Sequence, residues 1–115
     1  MKWVSPGQRD EKGIGMDYAF NSEGNGLVVL VEGRMTHADY KGFRDILARI
    51  NQDKPATVKF DLSKVSFVDS SALGMLLIVR DAAVEAQRQV ILKGAAGQVE
   101  TLIQVGKLHK YFAIE

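Results

Sequence analysis

Val65-Ser66-Phe67-Val68-Asp69-Ser70-Ser71-Ala72-Leu73-Gly74-Met75-Leu76-Leu77 is the stretch on which the reading of this chain turns. A strand-like run, residues 56–62, leads into it, and a long helical pattern leaves it. Between them lies a turn with one carboxylate and two adjacent hydroxyls at the start of a helix. The first amides of a helix have no partners inside it, so Asp69 or Ser70 can cap them. A second reading gives one serine a chemical role. The free N–H groups and the dipole of a helix N-terminus favour an anionic group there, so a modified serine is tolerated.

Working outward, the strand before the turn alternates. Val58, Phe60 and Leu62, with Ala56, face one way, and Thr57, Lys59 and Asp61 face the other. A strand buried on both faces does not read like this. The pattern predicts helices mainly on one face of a sheet whose other face is more polar. After the turn, Ala72, Met75, Leu76, Val79, Ala82, Ala83 and Ala86 make one broad apolar stripe of a helix over about residues 71–87. Leu73, Leu77 and Val84 make a second, beside Arg80, Asp81 and Arg88. It suits contact with a neighbouring helix or a surface kept for a partner.

Upstream, Ile14, Met16, Tyr18 and Phe20 alternate as in a half-buried strand. Residues 21–26 end in Asn25-Gly26, a strong hairpin signal. The apolar run 27–31 reads as a central strand. Gly33-Arg34-Met35 then leads to Thr36, a good N-cap, with Asp39 three residues on. Tyr40, Phe43, Leu47 and Ile50 follow helical spacing up to a stop at residues 51–55. Gly42 inside that helix costs about 1 kcal/mol relative to Ala, which points to close packing. Downstream come a short strand at residues 90–92, a loop at 94–97, and a helix marked by Val99, Leu102 and Ile103. That helix stops at Gly106, a natural C-cap residue, and a short strand follows at 111–114. Strand and helix alternate after the opening hairpin. The expected fold is α/β, with a mixed, mostly parallel sheet of about four to five strands opened by an antiparallel hairpin. Residues 1–13, with Trp3 and Val4 as the only anchors, read as a tail, and residues 14–115 as the domain.

Composition narrows the function. The chain has 115 residues, room for one core, and a net charge of +1, which favours neither nucleic acid nor an acidic surface as partner. There is no cysteine, hence no thiolate metal site. No apolar run reaches the length of a membrane span, and the N-terminus lacks the apolar centre of a signal peptide, so a cytoplasmic protein without direct membrane insertion is expected. Neither His37 nor His109 has a partner at metal-ligand spacing. The hydrolase elbow and the Walker loop are absent. Asp61 ends a strand, where a receiver-type phosphoacceptor aspartate would sit. The acidic pair that such chemistry needs for Mg²⁺ is missing, so Asp61 reads as a loop-capping carboxylate near the Ser71 helix. No enzyme activity and no cofactor are expected.

Asp61-Leu62-Ser63 followed by Phe67-Val68-Asp69-Ser70-Ser71-Ala72-Leu73-Gly74 resembles the STAS domains of the anti-sigma factor antagonist type, over about residues 16–115. The resemblance implies that Ser71 is a phosphorylation site, with Asp61, Asp69 and Ser70 as its surroundings. Ala72 stands where the family most often has Gly, a change that suits a helix. The resemblance further implies a binding module switched by phosphorylation. Its unmodified form would bind a partner such as an anti-sigma factor, itself a histidine-kinase-like serine kinase, and a metal-dependent, PP2C-type phosphatase would remove the phosphate. The alternative is a constitutive structural STAS subunit of a transporter or other multiprotein complex. The loops after parallel strands gather at one end of the sheet. Arg34, Met35, Thr36 and Phe67 are therefore expected to form a partner surface with Ala72 and Met75 at the start of the helix.

Overall fold

A computed structural model describes residues 15–115. The expectations for residues 1–13 and for Ile14 lie outside the described residues. Elements follow in the order β1 (Met16–Glu23), β2 (Gly26–Met35), a 3₁₀ turn (His37–Asp39), α1 (Tyr40–Asp53), β3 (Thr57–Val68), α2 (Ser70–Glu85), β4 (Gln89–Lys93), α3 (Gly97–Val105), a second 3₁₀ turn (Leu108–Lys110) and β5 (Ala113–Ile114). The sheet order is β1-β2-β3-β4-β5, antiparallel between β1 and β2 and parallel thereafter.

Alternation in β1 does what its sequence predicts: Met16, Tyr18 and Phe20 are buried. The hairpin is tighter than the predicted turn, because the strands run to Glu23 and from Gly26. Its loop is Gly24-Asn25, and Gly24 takes φ +61°, as the first position of a II′-type hairpin requires. Across the covered face the register lines up Phe20, Val29, Phe60 and Leu92, one from each of four strands, and all four are buried. Phe43 and Ile46 of α1, Leu76 and Val79 of α2, and Val99 and Ile103 of α3 join the same core. The other face carries Asp17, Leu30, Lys59 and Asp61, all partly exposed, with Lys59 3.1 Å from Glu115 and Lys64 3.4 Å from Glu32. One face is thus covered and the other is more polar.

Gly42 packs as expected. A Cβ there would stand 2.6 Å from Met16 Cε and 3.1 Å from the Tyr18 ring, so α1 crosses β1 closely. Burial, with Asp45 accepting the hydroxyl proton at 2.8 Å, pushes Tyr18 well above the usual tyrosine range. The α1 stripe departs in part from its predicted positions. Ile46 is fully buried, while Tyr40 is exposed and Leu47 half-buried. Phe43 and Ile50 hold their predicted places, and between them Ile46, one position before Leu47, takes the core side. Gly106 caps α3 in a right-handed conformation, and the left-handed residue is the next one, Lys107.

The largest difference from expectation lies in β3. The strand does not stop at Leu62 but continues to Val68, still paired with β2. Two register shifts, where Leu30/Glu32 face Asp61/Lys64 and Gly33/Arg34 face Val65/Phe67, each insert one extra residue on the β3 side. Buried positions therefore run 58, 60, 62, 65, 68. A spacing of three hides a strand from a period-two search, and a bulge is its physical cause. Asp61 pins the first bulge, accepting from Ser63 N at 3.0 Å and Ser63 Oγ at 2.6 Å. Ser66 Oγ donates to Gly33 O at 3.3 Å beside the second.

Candidate functional site

The end of β3 delivers the chain to the start of α2. Asp69, extended at φ −98° and ψ 174°, is the N-cap. Its backbone N–H donates to Met35 O at 3.1 Å, prolonging the pairing with β2. Its side chain works in two directions. Oδ1 accepts from Ala72 N at 2.8 Å, closing the first turn of α2. Oδ2 accepts from His37 N at 3.1 Å and lies 3.6 Å from His37 Nδ1, which ties in the turn before α1. One carboxylate thus joins the two loops at the C-terminal ends of β2 and β3. Burial pushes this carboxyl up, but the amides of Ala72 and His37 and the His37 ring outweigh it and hold Asp69 below its ordinary value.

A second clamp comes from α3. The Gln98 amide accepts from Val68 N at 3.0 Å and donates to Val68 O at 2.8 Å. β4 pairs β3 only as far as Asp61, so this side chain supplies the hydrogen bonds that a neighbouring strand would otherwise make. On the α1 side, Thr36 accepts from Ala38 N at 3.2 Å and Asp39 Oδ2 accepts from Thr36 N at 2.8 Å, a reciprocal capping box. The other oxygen of Asp39 accepts from Met16 N at 2.8 Å, anchoring the start of β1.

On this braced turn Ser70 and Ser71 occupy the first two positions of α2, and both are exposed. Among the described residues neither hydroxyl has a hydrogen-bond partner. A free hydroxyl at the N-terminal end of a 16-residue helix is reachable by a transferring enzyme. It also stands where an added anion meets unpaired amides.

The other expected site residues divide. Arg34 is exposed, and its guanidinium carbon lies 4.3 Å from the centroid of Phe67, which is half-buried. Thr36 is engaged as a cap, and Met75 is half-buried. Met35 and Ala72 are fully buried and offer no side chain to a partner. Strand alternation in β2 turns Met35 inward, and Ala72 sits on the sheet-facing stripe of α2. Asp61 is also displaced from expectation. It lies in mid-strand beside Leu30 and Lys93, roughly 20 Å of strand before Asp69. Burial pushes its carboxyl up, and the Ser63 hydroxyl and amide, then Lys93 and Lys64, more than reverse this. Its role is to hold the first bulge, not to line the serine turn. Gln98 was not visible as a site residue in the sequence, whereas His37 falls within the loop after β2 expected beside the Ser71 turn. Gln98 is 30 positions from its partner, and nothing local marks it. Of the second α2 stripe, Leu73 and Leu77 pack on the core. Arg80 beside it donates to Tyr111 O at 3.0 Å, so a C-terminal segment lies next to this stripe.

The STAS domain family model matches residues 19–115. The chain belongs to the STAS domain family. A STAS-domain containing protein of Pseudomonas aeruginosa is 30% identical over 94 residues, covering 82% of this chain and 92% of its own. An anti-sigma factor antagonist from Mycobacterium paratuberculosis has the same fold at TM-score 0.78 and 17% identity, over 93% of this chain and 89% of its own. The anti-sigma factor antagonist SpoIIAA shares it in its unphosphorylated form at TM-score 0.68 and 19% identity, over 85% of this chain and 86% of its own. The Bacillus SpoIIAA in its phosphorylated form shares it at TM-score 0.66 and 17% identity, over 85% and 90%. Within this STAS domain no helix of the described residues is long and apolar enough to cross a membrane.

Proposed function

We propose that this STAS domain is a cytoplasmic, non-catalytic binding module switched by phosphorylation of Ser71. The observation that carries the reading is an exposed, unengaged hydroxyl on a helix start that Asp69 and Gln98 hold from both sides. Phosphate adds about −1.5 to −2 charge. The helix N-terminus accommodates it, so the fold persists, while a partner packed against the unmodified hydroxyl meets bulk and charge. One event then leaves stability nearly constant and changes binding. That the structures of SpoIIAA in its unphosphorylated and its phosphorylated form both share this fold supports a fold that persists with the group in place. In this reading the unmodified protein binds a regulator of the anti-sigma factor class, which is also the serine kinase, and a metal-dependent serine phosphatase resets the switch.

The two serine variants test it. Ser71→Ala is expected to bind the partner recovered with the wild-type protein at near wild-type affinity. Ser71→Asp is expected to bind it about tenfold more weakly, with an unchanged melting temperature. Binding by Ser71→Asp and by phosphorylated protein as tight as that of the unmodified wild type would sink the switch reading.

A further inference from the structure

α1 and α2 lie side by side over the sheet and leave a groove between them. Tyr40, Phe43, Arg44 and Leu47 form one wall and Met75 and Ile78 the other, around a cavity of about 140 Å³. Its mouth leaves two large apolar side chains in solvent, Tyr40 at 56% and Ile78 at 61% exposure. This surface is neither the Arg34–Phe67 side nor the Leu73–Leu77 stripe. Positions three, four and seven apart share a face of a helix. Ser71 therefore heads the same stripe of α2 as Met75 and Ile78, about 10 Å along the axis from Ile78.

The rim at the Ser71 end is cationic. Lys41 and Arg44, one turn apart on α1, are exposed. Among the described residues neither is in an ion pair. Arg44 instead lies over the Tyr40 ring, 5.7 Å from its centroid. His37, just before α1, is not counted with them, because its Nδ1 lies 3.6 Å from the carboxylate of Asp69, the N-cap of α2. The carboxylates of the α2 wall, Asp81 and Glu85, come only after Ile78, and Asp81 is held by Arg80 at 3.0 Å. An apolar channel between two helices, edged by uncompensated cations, fits an amphipathic helix with acidic flanks. A second copy of this chain would bring the same cations to the contact.

We propose that the α1–α2 groove binds an acidic amphipathic helix of the partner. Tyr40, Met75 and Ile78 take its apolar face, and Lys41 and Arg44 take its carboxylates. Where Ser71 is the phosphorylated residue, as in the function proposed above, this gives the switch its physics. A phosphate at the head of the groove competes for the cations and repels an acidic ligand. The affinity of the groove for such a helix does not depend on that second step.

Two synthetic helices test this, with the same leucine stripe but glutamate flanks on one and lysine flanks on the other. Each is titrated into the isotopically labelled full chain. The glutamate helix is expected to shift the amides of Tyr40, Arg44, Met75 and Ile78, and to bind at least about tenfold tighter than the lysine helix. Arg44→Glu and Ile78→Ser should each weaken it about tenfold without lowering the melting temperature. Equal binding of the lysine helix overturns the proposal, as do shifts confined to other surfaces. So do shifts of the same amides with concentration in the chain alone, which would place a second copy in the groove. If the glutamate helix binds as expected but equally well to Ser71→Asp, the groove stands and the switch reading falls.

Discussion

Met35→Ala is expected to lower the unfolding free energy by about 2–5 kcal/mol. The side chain is fully buried at the last position of β2, opposite Val68. Its removal takes away apolar contacts and leaves a cavity that the sheet and α2 close only in part. For a domain of this size the loss should lower the melting temperature by more than about 10 °C. The neighbouring Arg34→Ala removes an exposed guanidinium stacked on Phe67, at a cost of no more than about 1 kcal/mol. Denaturant titration of the two variants separates a core residue from a surface one. Equal, near-wild-type stabilities would contradict the inward placement of Met35. The sequence reading had put both residues on the partner surface and expected binding, not stability, to respond.

Asp69→Ala comes second, with an expected loss of about 2 kcal/mol. An N-cap alone contributes about 1 kcal/mol. This carboxylate also accepts the His37 amide across the inter-loop gap, and charge-assisted bonds of that kind are stronger than neutral ones. Its partial exposure keeps the total modest, because water replaces part of what is removed. The pH dependence has a definite sign. The folded-state carboxyl is held below its ordinary value, so the unfolded chain binds the proton more readily. The stabilisation is fully present above the ordinary aspartate pKa of about 4 and is lost as pH falls through the lower folded value. Asp61, shifted the same way, adds to the slope. The stability gap between wild type and Asp69→Ala should therefore be widest near neutrality and narrow in acid. A gap that stays constant down to strongly acidic pH would mean that the carboxylate is not the group holding the loops together.

Local chemistry made much of this domain legible. The period-two pattern of Met16, Tyr18 and Phe20, the Thr36–Asp39 cap and the close packing at Gly42 each rest on residues near one another in the chain. So does the Asp69 cap at the start of α2. What stayed hidden depended on distance or on broken periods. β3 looked short because two bulges spread its buried residues three apart. Met35 looked available because Gly33-Arg34-Met35 resembles a loop in composition, while its register opposite Val68 is a tertiary fact. Gln98 could not be placed beside Val68 from sequence, since a single amide standing in for a strand leaves no pattern. The α1–α2 groove was missed for a related reason. Tyr40 and Leu47 share helical spacing with Phe43 and Ile50, but the buried stripe runs through Gly42, Phe43, Ile46 and Ile50 and leaves those two at its edge.

The central claim is that the exposed hydroxyl of Ser71 receives the phosphate, and site mapping tests it most directly. Wild-type, Ser70→Ala and Ser71→Ala proteins would be incubated with ATP and lysate of the expressing cells. Intact mass and fragmentation of the phosphopeptide would then be read for each. The account predicts a single added phosphoryl group on Ser71 in the wild-type and Ser70→Ala proteins, and none in Ser71→Ala. Phosphate on Ser70 or Ser63, or a Ser71→Ala protein modified as fully as wild type, would contradict it.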